Sequence, residues 1–259
     1  SWSQLGQDID GEAVDDHSGY SVSLSGDGNI LAIGAGGNDG NGYVSGHVRI
    51  YENVGGSWSQ IGNDIYGEAS GDAIGHVISL SSDGNTVAIT SNGLGVGGPS
   101  TVRIYENISG SWSKIGNDIA GEAVDDHSGC SVSLSSDGNI LAIGALKNDG
   151  NGTDAGHVRI YQNIGGSWSQ VGQDIDGEAA GDNSGGSVSL SSDGNIVAIG
   201  AKDNDGAAYA AGHVRIFQNI VGSWSQIGQD IDGEAWGDNS GGSVSLSSDG
   251  NIVAIGAKD

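Results

Sequence analysis

The chain has 259 residues, of which 50 are Gly, while Pro and Cys occur once each and Met is absent. That balance excludes collagen, which needs proline and strict triplets, and a disulfide-stapled scaffold, which needs paired cysteines. With 8 Lys and Arg against 33 Asp and Glu, the formal charge is -25, so phosphate-neutralising cations are scarce and nucleic acid is a poor partner. No apolar run nears the roughly 20 residues of a membrane helix, so membrane insertion is not expected. Ser1 in place of an initiator Met points to a processed chain or an excerpt.

In chain order the first landmark is Trp2, which recurs as Trp58, Trp112, Trp168 and Trp224 at spacings of 56, 54, 56 and 56 residues. Each Trp sits in SWSQ or SWSK, a polar strand that opens a repeat unit. An acidic loop follows. The next run, Ser21 to Ser25, alternates Ser with Val22 and Leu24, which is the period of a strand with one packed face. Asp-Gly at 27/28, 83/84, 137/138, 193/194 and 249/250 accepts the positive φ of a tight hairpin turn. Beyond it, Ile30 to Ala35 is apolar on both faces, as a strand sandwiched between neighbouring sheets should be. HVRIY then alternates again before the next SWSQ.

Polarity that rises from strand to strand fits a sheet running from a central axis to solvent, with the serine-rich strand at the axis. Five copies of the inner strand predict an all-β, five-bladed β-propeller, a single domain over 1–259 with blades of about 56 residues and four strands. A right-handed β-solenoid is the alternative, disfavoured by an Asp-Gly hairpin in every unit. The fifth unit ends at Asp259, after its second strand. The N-terminal Trp2 to Ile9 segment is therefore expected to close this incomplete blade, pairing with Ile252 to Ala257 in a monomer. Strand exchange with a second copy and a ring that stays open are the other outcomes.

The segments SGYSVSLSGDGNILAIGAGGNDG and GHVRIYEN, with their equivalents in the later units, resemble the FG-GAP repeats of integrin α-subunit propellers and their bacterial relatives. The resemblance covers nearly the whole chain and implies an extracellular or cell-surface propeller that binds a ligand. The FG position reads SGY, IGH, SGC or SGG, and the family's calcium loop between the first two strands is shortened here to SDGN or GDGN. Calcium is not expected in that turn.

Loops that join strands 2 and 3, and those that join a fourth strand to the next inner strand, share one end of the ring, here called the top. They differ most between units, and loops on a rigid scaffold carry binding. Tyr20, Tyr43, Tyr66, Tyr209 and Trp236 fall in these loops or at their edges, the placement of a sugar-stacking surface. Packed loops are the structural alternative. Trp236 and Tyr20 would be neighbours across the closed ring.

Each acidic loop has Asp, Glu and Asp four residues apart: Asp8, Glu12, Asp16; Asp174, Glu178, Asp182; Asp230, Glu234, Asp238, and likewise in the second and third units. Such oxygens could hold calcium, although turn-building by Asp accounts for the same recurrence. Asp15-Asp16-His17 and Asp125-Asp126-His127 have the residue types of a metal or acid/base group, yet Ala73, Asn183 and Asn239 take the His position elsewhere, which favours a surface loop. Arg49, Arg103, Arg159 and Arg215 are expected to pair with carboxylates between blades. No GxSxG elbow or distinct carboxylate dyad is present, and Cys130 has no positioned base. The expectation is a non-enzymatic binding or adhesion module for glycan or protein, with no required cofactor and calcium as an option. A repeat array that assembles through the incomplete blade is the alternative.

Overall fold

The computed structural model describes residues 1–91 and 99–258. The loop between strands 2 and 3 of the second unit, one of the variable top loops, lies outside them, as does Asp259. The chain builds five consecutive propeller blades. In the first, Ser21–Leu24, Ile30–Ala35, His47–Val54 and Ser57–Gln60 pair antiparallel in order, and Ile65–Tyr66 returns to pair with the start of the third strand. The next three blades repeat this plan, and the fifth is the hairpin Ser243–Leu246 with Val253–Gly256. No helix among the described residues is long and apolar enough to cross a membrane.

The period-two pattern dictates the register: Val22 opposes Ile33 and Leu24 opposes Leu31. The core lies between blades. Ala32, Val48 and Ile50 of the first blade pack with Ile78, Leu80, Ile89 and Tyr105 of the second, and the next two junctions repeat this. The axial serines are more than small residues. Ser23 Oγ accepts the Leu80 N–H at 2.9 Å, and Ser79, Ser133 and Ser189 accept those of Leu134, Leu190 and Leu246 at 3.0 Å. Backbone bonds from Gly26 through Ser82, Ser136 and Ser192 to Ser248 link the blades at the bottom.

The N-terminal strand expected to close the fifth blade is not there. Residues 1–20 form no strand, and the segment runs along the opposite flank, where the Trp58 Nε1–H donates to Leu5 O at 3.2 Å. Trp224 does the same with Val171, which follows a fourth strand, at 3.0 Å. Leu5 therefore occupies the place of an outer strand beside the first blade. The first and fifth blades do not meet: the serine bonds run from Ser23 to Leu80 through Ser189 to Leu246, and the described residues carry none from Ser245 back to Leu24. Leu24 is 53% exposed, whereas its counterparts Leu80, Leu134 and Leu190 are 7%, 9% and 8% exposed.

Each bottom turn is closed by its own side chains. Asp27 Oδ1 accepts from Ser25 Oγ and the Asn29 N–H at 2.7 and 2.9 Å, and Asp249 repeats this with Ser247 and Asn251. These bonds, led by the Asn29 N–H for Asp27 and by Ser247 for Asp249, lower both carboxyls from 3.8 to about 2. Asp83, Asp137 and Asp193 are lowered in the same direction. A depressed carboxyl stabilises the fold above its unfolded pKa and loses that contribution as pH falls through the folded one. The melting temperature is expected to drop as pH goes from 3.8 to about 2, and to drop less in Asp27→Asn. A flat profile there would exclude this role for the turns.

Candidate functional site

The acidic loops do not gather their own three carboxylates. Asp16, Asp182 and Asp238 close turns, accepting the N–H of Ala13, Ala179 and Ala235 at 3.2, 2.9 and 2.7 Å. Asp16 and Asp182 are buried in doing so. Asp8 accepts from Gln4 Nε2 at 2.8 Å, and Glu234 is exposed. The calcium triads Asp8/Glu12/Asp16, Asp174/Glu178/Asp182 and Asp230/Glu234/Asp238 are thus not assembled, because i+3 turn closure turns the third carboxylate toward its own backbone.

What converges instead is a Glu of one loop, the first Asp of the next, and a His at the start of a third strand. The three groups are Glu12, His47, Asp64; Glu122, His157, Asp174; and Glu178, His213, Asp230, whose donor atoms lie within 4.8 Å of one another and could hold a metal ion. His47 Nδ1 is 3.7 Å from Glu12 and 3.8 Å from Asp64. Burial, partly offset by these carboxylates, lowers the pKa of all three imidazoles. The strand arginines pair across blades as expected: Arg49, Arg159 and Arg215 each approach the same Glu at 3.8 to 3.9 Å.

A second site arises where the repeat is broken. At three top junctions an inner-strand Ser bonds the next blade's Gly carbonyl: Ser21 to Gly75, Ser131 to Gly185, and Ser187 to Gly241, at 2.7, 2.8 and 2.7 Å. Facing each carbonyl is Gly34, Gly144 or Gly200, where a Cβ would lie 2.0 to 2.1 Å from the oxygen. The second blade has Val77 and Thr90 in those places. It lacks the serine hydroxyl and has a bulky side chain in place of the glycine, and a Cβ on Gly129 of the third blade would lie 3.1 Å from Thr90 Cγ2. A pocket of about 130 Å³ opens between the blades, lined by His76, Thr90, His127, Ser128 and Cys130.

His76 is partly buried and stacks edge-on to Tyr20, with centroids 4.8 Å apart. Burial, and then the nearby His17, push its pKa below the ordinary imidazole value, so at neutral pH it is an unprotonated base. Ser128 is buried, and its hydroxyl has no hydrogen-bond partner. Cys130 is no nucleophile, since burial raises its thiol to about 11. His17 and His127 adopt positive φ, as do Ala73, Asn183 and Asn239 at the same position. The turn fixes that backbone and leaves the side chain free to vary. His76 was missed by sequence reasoning because Tyr20, Cys130, Gly186 and Gly242 replace it in the other units. The legible signal was Val77 and Thr90 departing from Ser and Gly.

The aromatic residues do not form one surface. Tyr209 and Trp236 stack with centroids 5.7 Å apart, Tyr66 packs edge-on to His47 and donates to Asp64 at 2.9 Å, and Tyr43 is exposed. Tyr20 partners His76 rather than Trp236, because the first and fifth blades are not joined.

No protein-family model matches the chain, and no curated relative matches it in sequence. Its fold is similar to the periplasmic gluconolactonase of Pseudomonas aeruginosa, with TM-score 0.62 and 18% identity over 92% of this chain and 64% of that one. It is also similar to a candidate 6-phosphogluconolactonase of Bacteroides uniformis, with TM-score 0.57 and 12% identity over 91% and 57% of the two chains. Hydrazine synthase of Kuenenia stuttgartiensis has TM-score 0.57 and 15% identity over 92% and 70%. The chain thus spans little more than half the length of the Bacteroides protein. These findings correct the FG-GAP resemblance and, with it, the expectation of a non-enzymatic adhesion module, since no FG-GAP model matches and the similar propellers bear enzyme names. The SG and IGA segments that suggested FG-GAP repeats serve a need of blade packing, the close approach of glycine backbones between blades. The architecture this chain shares with them is the β-propeller.

Proposed function

We propose that the chain is a hydrolase that opens cyclic esters of sugars at the junction of its second and third blades. The observation that carries this reading is the pocket made by Val77 and Thr90, which sets the neutral imidazole of His76 and the unpartnered hydroxyl of Ser128 around one space. His76 takes a proton from water, and the water oxygen attacks the lactone carbonyl carbon. The resulting oxyanion accepts a hydrogen bond from Ser128 Oγ. The ring oxygen then leaves with the proton held by His76, giving the open-chain acid. The names of the similar propellers support this substrate class. Among the described residues, no Lys or Arg lines the pocket, and the chain carries a charge of -25. Both features favour a neutral sugar lactone over a phosphorylated one. A place outside the cytoplasm accords with the periplasmic neighbour.

The test is hydrolysis of glucono-1,5-lactone in weak buffer, followed by acid release against the spontaneous rate. The expected result is acceleration proportional to protein concentration, and a smaller one for the 6-phosphorylated lactone. A rate equal to the blank across a wide substrate range would sink the reading.

A further inference from the structure

We propose that the three Glu/His/Asp groups between blades each bind one divalent transition-metal ion of the zinc class. The imidazoles of His47 and His157 are each 1% exposed, and their Nδ1 atoms are buried without a hydrogen-bond partner. Each Nδ1 points into its group: His157 Nδ1 is 3.9 Å from Glu122 and 3.6 Å from Asp174, and His213 Nδ1 is 3.9 Å from both Glu178 and Asp230. These separations are too long for hydrogen bonds. They span an ion that would sit about 2.0 to 2.2 Å from each donor. One imidazole nitrogen with two carboxylates is a donor set for zinc-class metals, since calcium prefers oxygens alone.

The second blade supplies an internal comparison. Its third strand begins with Thr101 in place of His, and its fourth strand ends with Lys114 where the other blades have Gln60, Gln170 and Gln226. Lys114 Nζ bonds Glu68 at 2.9 Å and also pairs with Asp118, the two carboxylates of that groove. Arg103 turns in as well, with Nε 2.9 Å from Asp118. A fixed ammonium thus bridges the carboxylates in the one groove without a His. In the three grooves with a His, Gln stands at the lysine position and no Lys reaches the pair. Among the described residues of those three grooves, the one side-chain cation beside the pair is the strand Arg, 3.8 to 3.9 Å from the Glu, and the exchange of Thr and Lys for His and Gln leaves the place of the bridging ammonium to a bound cation. The inference is independent of the lactonase reading, since these groups lie at the third strand and not at the Thr90 pocket.

The test uses the whole chain, stripped with chelator and loaded with Zn²⁺ alone at neutral pH, with metal counted after desalting and Co²⁺ absorption as a second readout. Three equivalents are expected. H157T/Q170K, which copies the second blade, should lower the count from three to two. T101H/K114Q should raise it from three to four, with a matching gain in Co²⁺ absorption, and needs no existing site to survive. Retention of no metal by the parent chain, or an unchanged count in both folded variants, would overturn the proposal.

Discussion

His76→Gln is expected to lower lactone opening by about 10²- to 10⁴-fold, the usual contribution of a positioned general base. The side chain is only partly buried, so the fold should survive, and an unchanged melting temperature checks this. The pH profile makes the prediction sharper. Burial and His17 hold the His76 pKa below 6.5, so its base form predominates at neutral pH and is lost as pH falls through that depressed value. The parent kcat/KM should therefore have an acid limb below pH 6.5, and His17→Gln should move that limb upward by removing a neighbouring positive charge. V77S/T90G gives an orthogonal check, because it restores the hydroxyl and the glycine of the other junctions. This variant should close the pocket, abolish activity, and keep or raise stability by about 1 kcal/mol through the new bond to the Gly129 carbonyl. Full activity in His76→Gln, or in V77S/T90G, would place the reaction elsewhere.

Gly144→Ala is expected to be among the most damaging single changes in the chain. Its Cβ would lie 2.0 Å from Gly185 O and 2.5 Å from Ser131 Oγ, the pair that forms the interblade bond at that junction. Neither side can yield cheaply, since the oxygen belongs to the backbone of the next blade and the hydroxyl is already bonded to it. Overpacking commonly costs about 1 to 3 kcal/mol, and with backbone as the obstacle the upper end applies. For a chain of this size, each kcal/mol lowers the melting temperature by about 2 to 4 °C, so a fall of about 6 to 12 °C should appear in thermal unfolding. Gly186→Ala is the control, because its Cβ would meet only Asn183 O at 3.4 Å and its φ is not in the left-handed region. It should change stability by less than about 1 kcal/mol. Equal losses in the two variants would mean that the interblade approach does not set the requirement for glycine.

The sequence by itself determined the blades. The Trp spacing, the alternation in Ser21 to Ser25, and the Asp-Gly turns are local patterns, and local hydrogen bonding and side-chain period decide them before any two blades meet. Strand order, turn position and the pairing of Arg49 with a neighbouring loop were all legible for that reason. The tertiary structure decided how the blades stand to one another, and the sites follow from that. The ring closure expected through Trp2 failed because the first and fifth blades do not meet, and whether two blades meet is a relation absent from any single unit. The metal groups escaped a reading that grouped Asp8, Glu12 and Asp16 within one loop. Their members come from two loops and a strand, and Glu12 meets Asp64 only once two blades are packed. His76 belongs to the same class. Its environment depends on Val77 and Thr90 holding apart two backbones that touch at the other junctions, and the resulting space is a property of the junction rather than of either segment.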